Sequence, residues 1–232
     1  MDEEIIISPL ANLYENKTHS RKKFYDEQFS PKGDGLKPPE LAVHIASVLL
    51  VGIDGSIVLQ KRSSGKRHNP SLIDKTLGGH IRHGDSVNYT VMVETIQELS
   101  VPSVVLDDAA ELRKTLELLR SHIETIAMIY KKTTRPWQLD KIVDGQVYHI
   151  NNVVHLYFGV YGGRMRPADC EASGILYYDS LKQLEEEIAS NPDIFTDDLR
   201  KLCAEYHDDI LEFQKMVQAT VSEPDARLQN PK

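Results

Sequence analysis

The residues best suited to chemistry lie in the stretch Gly78–Val101, GGHIRHGDSVNYTVMVETIQELSV. Glu94 and Glu98 are four apart, so a helix begun at Val87 projects both carboxylates from one face, with Gln97 at its edge. Gly78 and Gly79 open a tight loop before it, and Gly84, Asp85 and Ser86 supply a break and an N-cap. Met92, Thr95, Ile96 and Leu99 fall roughly opposite the carboxylates and are expected to bury against a core. Two carboxylates beside a glycine loop offer the hard oxygen ligands that Mg²⁺ prefers in phosphate chemistry. The plainer alternative is a solvated helix face on which the two glutamates do no chemistry.

The same stretch resembles the Nudix box: glycine, five residues, glutamate, seven residues, then Arg-Glu-aliphatic-x-Glu-Glu-x-Gly-aliphatic. Gly79 fits the first position and Asp85 stands where the glutamate is usual; Glu94, Glu98 and Val101 match theirs. Val93 replaces the arginine, Thr95 the aliphatic, Gln97 a glutamate and Ser100 the glycine, while the spacing is intact throughout. The resemblance implies a Nudix-type α/β/α sandwich and a hydrolase that cleaves a diphosphate linkage in a nucleotide or other organic diphosphate, using Mg²⁺ or Mn²⁺. It implies metal ligands at Glu94, Glu98 and the carbonyl of Gly78, with the two glutamates catalytic. At Gln97 an amide oxygen can still ligate but brings one negative charge fewer. Val93 loses the group that orients the glutamates.

Upstream, Lys61–Arg67 (KRSSGKR) is the only dense basic run in an acidic chain, and it reads either as a phosphate-binding loop or as a solvated one. The order of elements is similar to the Nudix branch that includes isopentenyl-diphosphate isomerase. There an arginine, and a lysine four residues on, contact the substrate diphosphate; Arg62 and Lys66 match them. His80 matches a histidine of that branch, a metal ligand in the isomerase, which His44 could join, and a loop-orienting residue in hydrolase members. His83, three residues on, adds weak evidence of a metal site. The isomerase also needs a cysteine two residues before that histidine, where this chain has Gly78, so proton transfer at carbon lacks one of its positioned groups. Three readings stand: a diphosphate hydrolase with a weakened metal site, a non-catalytic nucleotide or diphosphate binder, and the isomerase.

Elements must position these groups, and 232 residues at 41% hydrophobic suffice for one good core with appended helices. A net charge of −8 argues against general nucleic-acid or anionic-membrane affinity, though not against a local basic pocket. The expected partner is a small-molecule diphosphate, and a homodimer is compatible with the pattern. Two cysteines, Cys170 and Cys203, are too few for a disulfide framework, and the N-terminus lacks a signal-peptide pattern, so a cytoplasmic setting is expected.

Residues 1–40 read as an extension with a Glu4–Ser8 edge strand and a turn-rich linker over 31–39. The main domain is expected over 41–220, with a disordered tail over 221–232. Within it, Leu41–Leu59 reads as a hairpin about Asp54-Gly55. Leu112, Leu116, Leu119 and Ile123 mark an inserted helix capped by Asp107 or Asp108, covering the fold or an oligomer interface. Strands follow at Ile126–Lys132 and Val147–Tyr161, separated by a loop whose Trp137 would either meet a ligand or anchor the loop. Another strand at Ile175–Tyr178, a helix capped by Asp179 and a last helix capped by Thr196 complete a mixed-sheet α/β fold with extra C-terminal helices. Leu199, Leu202, Cys203, Tyr206 and Ile210 form that last helix's apolar stripe.

Overall fold

The structure is a computed structural model that describes residues 3–29, 40–168 and 172–222. The 31–39 linker, the tail beyond 222 and Cys170 lie outside the described residues. The fold is α/β with a mixed sheet, as the sequence predicts. Its axis is β3 (Leu41–Val51), an almost unbroken apolar run whose residues beyond Leu41 are all buried, the pattern of a strand covered on both faces. The Asp54-Gly55 turn, with Gly55 at φ +87°, leads into β4 (Ile57–Arg62). Asp54 Oδ1 accepts from the Ser56 amide and stiffens that turn. Short strands β5 (Ile73–Asp74) and β6 (Leu77–His80) then pair with β4 and β3.

The segment before residue 40 joins the same sheet. β1 (Glu4–Pro9) pairs on one side with β2 (Lys17–Ser20) and on the other with β3, so it is not the edge strand expected from sequence. Helix α1 (Arg21–Gln28) follows, and its Phe24 and Tyr25 are buried in the core.

Helix α2 (Val87–Leu99) starts where the sequence predicts, with Ser86 accepting from the Tyr89 amide. Its burial differs from expectation. Val91, Thr95, Glu98 and Leu99 are buried, whereas Met92 and Ile96 are 40% and 54% exposed. At 100° per residue, Met92 and Ile96 lie opposite Glu94, and the carboxylate side is the one that faces inward. Ser100 ends the helix at φ +57°, a left-handed conformation that disfavours residues with a Cβ by roughly 1–2 kcal/mol. This is the physical demand behind the glycine usual at that position.

Strand β7 (Ser103–Leu106), absent from the sequence reading, runs parallel to β8. Helix α3 (Ala109–Leu118) is the inserted helix, capped by Asp108 and burying Leu112 and Leu116. Strand β8 (Ala127–Val143) corrects the predicted loop after Lys132. It continues through Pro136 and Trp137 to a tight turn at Asp144-Gly145, both at positive φ, and returns as β9 (Gln146–Val160). Buried Trp137, Leu139 and Val143 keep a period of two, and a register shift between Lys131 and Thr133 masks the continuity. Trp137 packs near Tyr206, its Nε1 donating to Glu205, so it anchors structure rather than a ligand.

β10 (Ala172–Tyr178) pairs with β4. Helix α4 (Leu181–Ser190) is capped by Ser180, not Asp179. The predicted last helix is two, α5 (Asp197–Glu205) capped by Thr196, and α6 (His207–Ser222), broken at Tyr206. The sheet runs β10-β4-β3-β9-β8-β7, with β3–β9 and β7–β8 parallel. One core holds side chains of α1, α3, α4, α5 and α6; a second, on the other face, holds Val91 and Leu99 of α2. No described helix is long and apolar enough to cross a membrane.

Candidate active site

Antiparallel pairing sets Gly79 opposite Ala46 and Gly78 opposite Ser47, which lays the glycine loop along β3. Gly79 leaves room for Glu94, because a Cβ there would stand 2.0 Å from Glu94 Oε1 and displace that side chain. Glu94 is thereby seated against the loop backbone, at the wall of a cavity of about 150 Å³. Gln97, Gly78, Arg62 and Lys66 share that wall, so five of the six residues singled out from sequence are brought together. The sixth, Glu98, is 3% exposed and stands behind it, accepting from Gln60 Nε2 at 3.4 Å. Gln60 itself lines the cavity.

The cavity is cationic in an anionic protein. Arg21, Arg62, Lys66, Lys75, Arg82 and Lys141 line it, against the carboxylates of Glu3, Asp74 and Glu94. Arg62 is held from several directions: Nη1 donates to Asp74 Oδ2 at 3.1 Å, and Nε and Nη2 donate to the carbonyls of Asn69 and His68. Asp74 also accepts from Thr196 Oγ1 at 2.9 Å. Burial opposes its ionisation, yet Lys75, Arg62 and Lys141 hold it below the usual carboxylate range. Lys75 pairs with Asp198 of α5 and, at 3.4 Å, with Asp74. Burial would lower its ammonium, but Asp198 and Asp74 outweigh that and place it above the ordinary lysine range. Lys141 goes the other way, pulled down by burial and by the cations Lys75 and Arg62.

Gln60, Asp74, Lys75, Lys141 and the α1 residues Arg21 and Tyr25 escaped the sequence reading. The Asp74-Lys75 pair just before the glycine loop was a usable signal, since adjacent charges between Ile73 and Leu77 interrupt an apolar pattern. Nothing local marks Arg21, Tyr25 or Lys141, which reach the cavity only through tertiary structure.

The histidines separate. His80 lines the cavity, and its Nε2 is 2.7 Å from the Tyr25 hydroxyl. Burial, with Arg21 and Lys141 nearby, holds it far below its ordinary pKa and therefore neutral. His83 turns away, to Thr18 Oγ1 at 2.8 Å. His44 lies in a different cluster, hydrogen-bonded to Ser8 and His155. Among the described residues, no group of three or more His, Cys, Asp or Glu is placed to hold a metal ion. The Glu94 carboxylate, the Gln97 amide oxygen, the Gly78 carbonyl and, on rotation, Glu98 fit Mg²⁺ or Mn²⁺ in kind. In number they leave positions for water and for a ligand's phosphate oxygens, which is how Mg²⁺ is ordinarily held.

Position 78 also bears on proton transfer at carbon. A Cβ there would meet Ala46 O at 2.7 Å and Lys75 Cε at 2.9 Å. The space a cysteine side chain would need is taken by the Lys75 stem and the β3 backbone.

No protein-family model matches the sequence, and no curated protein matches it. Among solved structures, one shares the fold at a TM-score of 0.50 and others resemble it less closely. The DR0079 protein of Deinococcus radiodurans is 13% identical at a TM-score of 0.50, over 88% of this chain and 98% of that one. A MutT protein from Methanosarcina mazei is 14% identical at a TM-score of 0.43, over 78% and 96% of the two chains. A bifunctional NMN adenylyltransferase/ADP ribose pyrophosphatase from Francisella tularensis is 12% identical at 0.46, over 82% of this chain, which spans 44% of its length. The likeness is one of fold.

Proposed function

We propose that this chain is a Nudix-type hydrolase that cleaves the diphosphate linkage of an organic diphosphate, the nucleotide-linked ones included, in a soluble, cytoplasmic setting. The observation that carries the reading is the meeting of Glu94, the first of the two box-spaced glutamates of α2, with a cavity holding six cationic side chains. Arg62, Lys66 and Lys141 neutralise the incoming diphosphate, and the network around Arg62 keeps its guanidinium from swinging away. Glu94, the α2 carboxylate at the wall, takes the proton from water as its oxygen bonds phosphorus and the bridging P–O bond breaks. Gln60 positions Glu98 behind it. Glu94, Glu98, the Gln97 amide and the Gly78 carbonyl would hold Mg²⁺ or Mn²⁺, which when bound neutralises phosphoryl charge and lowers the pKa of water.

The test is a metal-supplemented hydrolysis screen over nucleotide sugars, dinucleotides, nucleoside triphosphates and prenyl diphosphates. Release of phosphate products is expected, falling by roughly a hundredfold or more in Glu94→Gln and Glu98→Gln. No turnover across the panel would sink the hydrolase. Gln97 and Val93 favour a second reading, a non-catalytic diphosphate binder. Its mark is a ligand-dependent rise in Tm without turnover, lost in Lys66→Ala. The isomerase ranks last on the packing around Gly78, and absence of isotope exchange from water into isopentenyl diphosphate ends it.

A further inference from the structure

We infer that the cavity has a second lobe that takes an additional phosphoryl group of the same ligand, so that the ligand class is a diphosphate bearing at least one further phosphate. This rests on the reading of the first lobe as a diphosphate site. The second lobe, about 290 Å³, meets the first at Arg21, Tyr25, Arg62, Lys66 and His68 and extends outward to Lys22 and Arg67. Five of its seven lining residues are cationic, and none is a carboxylate.

Arg62 is already engaged by Asp74 and two carbonyls, while the outer cations sit in ion pairs open to water. Arg21 pairs with Glu3 at 2.6 Å, and Lys22 and Arg67 both reach Asp26, at 2.8 and 3.1 Å. These carboxylates lie outside the lobe's lining. Side chains of Arg21, Lys22 and Arg67 are 43%, 74% and 53% exposed, and ion pairs this open to water, Lys22 and Arg67 with Asp26 above all, hold their partners weakly. A phosphate can therefore recruit them with charge-assisted hydrogen bonds at little expense.

The alternative tenant, a nucleobase, would need an open aromatic face. Tyr25 and Phe29 are 3% and 9% exposed, and they spend their faces on one another and on His68, with centroids 4.5 and 5.2 Å from that ring. Arg67 already covers the Phe29 ring at 5.4 Å. What the lobe offers a ligand is positive charge, not a stacking platform.

Calorimetric titration of the full chain with inorganic pyrophosphate, tripolyphosphate and tetrapolyphosphate tests this, run in EDTA and again in excess Mg²⁺. Tripolyphosphate should bind about tenfold more tightly than pyrophosphate, the worth of one or two charge-assisted contacts. The double variant Lys22→Ala/Arg67→Ala should bring tripolyphosphate down to the pyrophosphate value, and Lys22→Arg should keep the gain. Both positions are exposed, and an unchanged Tm certifies that the variants fold. Equal affinities for the two ligands, or a gain that survives in the double variant, overturns the second lobe alone. Failure of pyrophosphate to bind in either buffer overturns the diphosphate site beneath it.

Discussion

Asp74, Lys75 and Asp198 are buried as ions beside the cavity, whereas buried Ser8, His44 and His155, with Thr134 at the exposed end, form a row of neutral groups across β1, β3, β9 and β8. One orientation satisfies the row. Ser8 donates to Asn16 Oδ1, His44 Nε2–H donates to Ser8, His155 Nε2–H donates to His44 Nδ1, and Thr134 donates to His155 Nδ1. Each imidazole there is one donor and one acceptor, so no charge is needed. The ionised cluster is the more expensive arrangement, because desolvating ions costs several kcal/mol before their attraction is counted. It differs from the histidine row in opening onto the cavity, where Asp74 and Lys75 line the wall. A fixed cation is worth its desolvation where an anion arrives, and a neutral row serves where only the sheet must be joined.

The largest effect comes from stripping one ion of its partner. Asp198→Ala leaves Lys75 with Asp74 alone, and urea unfolding should show a loss of about 3–5 kcal/mol. Lys75→Met/Asp198→Leu, which removes both charges, should lose markedly less, since apolar replacement of a whole buried pair is often near neutral. If the double variant is as unstable as the single, the pair matters for its packing and not for its charge.

Next in size is Gly79→Ala. The added methyl would stand 2.0, 2.4 and 2.8 Å from Oε1, Cδ and Cγ of Glu94, all in one rotatable side chain, so that side chain has to turn away while the fold survives. Hydrolysis should fall by about 10- to 100-fold, equal to roughly 1.4–2.7 kcal/mol of barrier, with little change in Tm. Thr134→Val, at the exposed end of the neutral row, should do the reverse, destabilising by about 0.5–1.5 kcal/mol as His155 Nδ1 exchanges its donor for water, with turnover per folded molecule unchanged. A fall in that turnover would show the two clusters to be coupled.

Sequence reading reached the parts of this site whose signal is local. Ser86, the start of α2, the glycine loop and the Glu94–Glu98 spacing follow from capping and helix period. So do the Asp54-Gly55 hairpin and the Thr196 cap, and the cap of α3 to within the choice between Asp107 and Asp108. It failed where a tertiary partner decides. Met92 and Ile96 looked like core and are solvent-facing, because β6 and the cavity take the other side of α2. Pro136 looked like a loop, yet it tolerates a strand position paired with Val153, and a bulge near Lys132 hides the alternation that continues beyond it. Lys141, Arg21 and Tyr25 carry no pattern of their own and become site residues only when β8 and α1 converge on the cavity.

The smallest effect separates the clusters by pH. Burial lowers His44 to about 4 and His155 to about 3, from 6.5. An unfolded histidine takes up a proton at 6.5 and the folded one does not, so stability falls as pH drops below about 6.5, levelling off near 4 for His44 and near 3 for His155. Asp74, held below its usual 3.8, keeps its contribution until pH falls below that value. Lys75, raised above 10.5, loses its contribution only as pH climbs past that point. The interval from 6.5 to 4 therefore reports on histidines and leaves the ion pair untouched. His155→Gln should reduce the slope of unfolding free energy against pH in that interval, at a neutral-pH cost of about 1 kcal/mol for the rearranged hydrogen bonds. His68 and His80, partly buried and also lowered, keep part of the slope in place. An unaltered slope would mean that His155 titrates in the folded protein as it does in the unfolded one, and that the row is not the neutral chain its geometry describes.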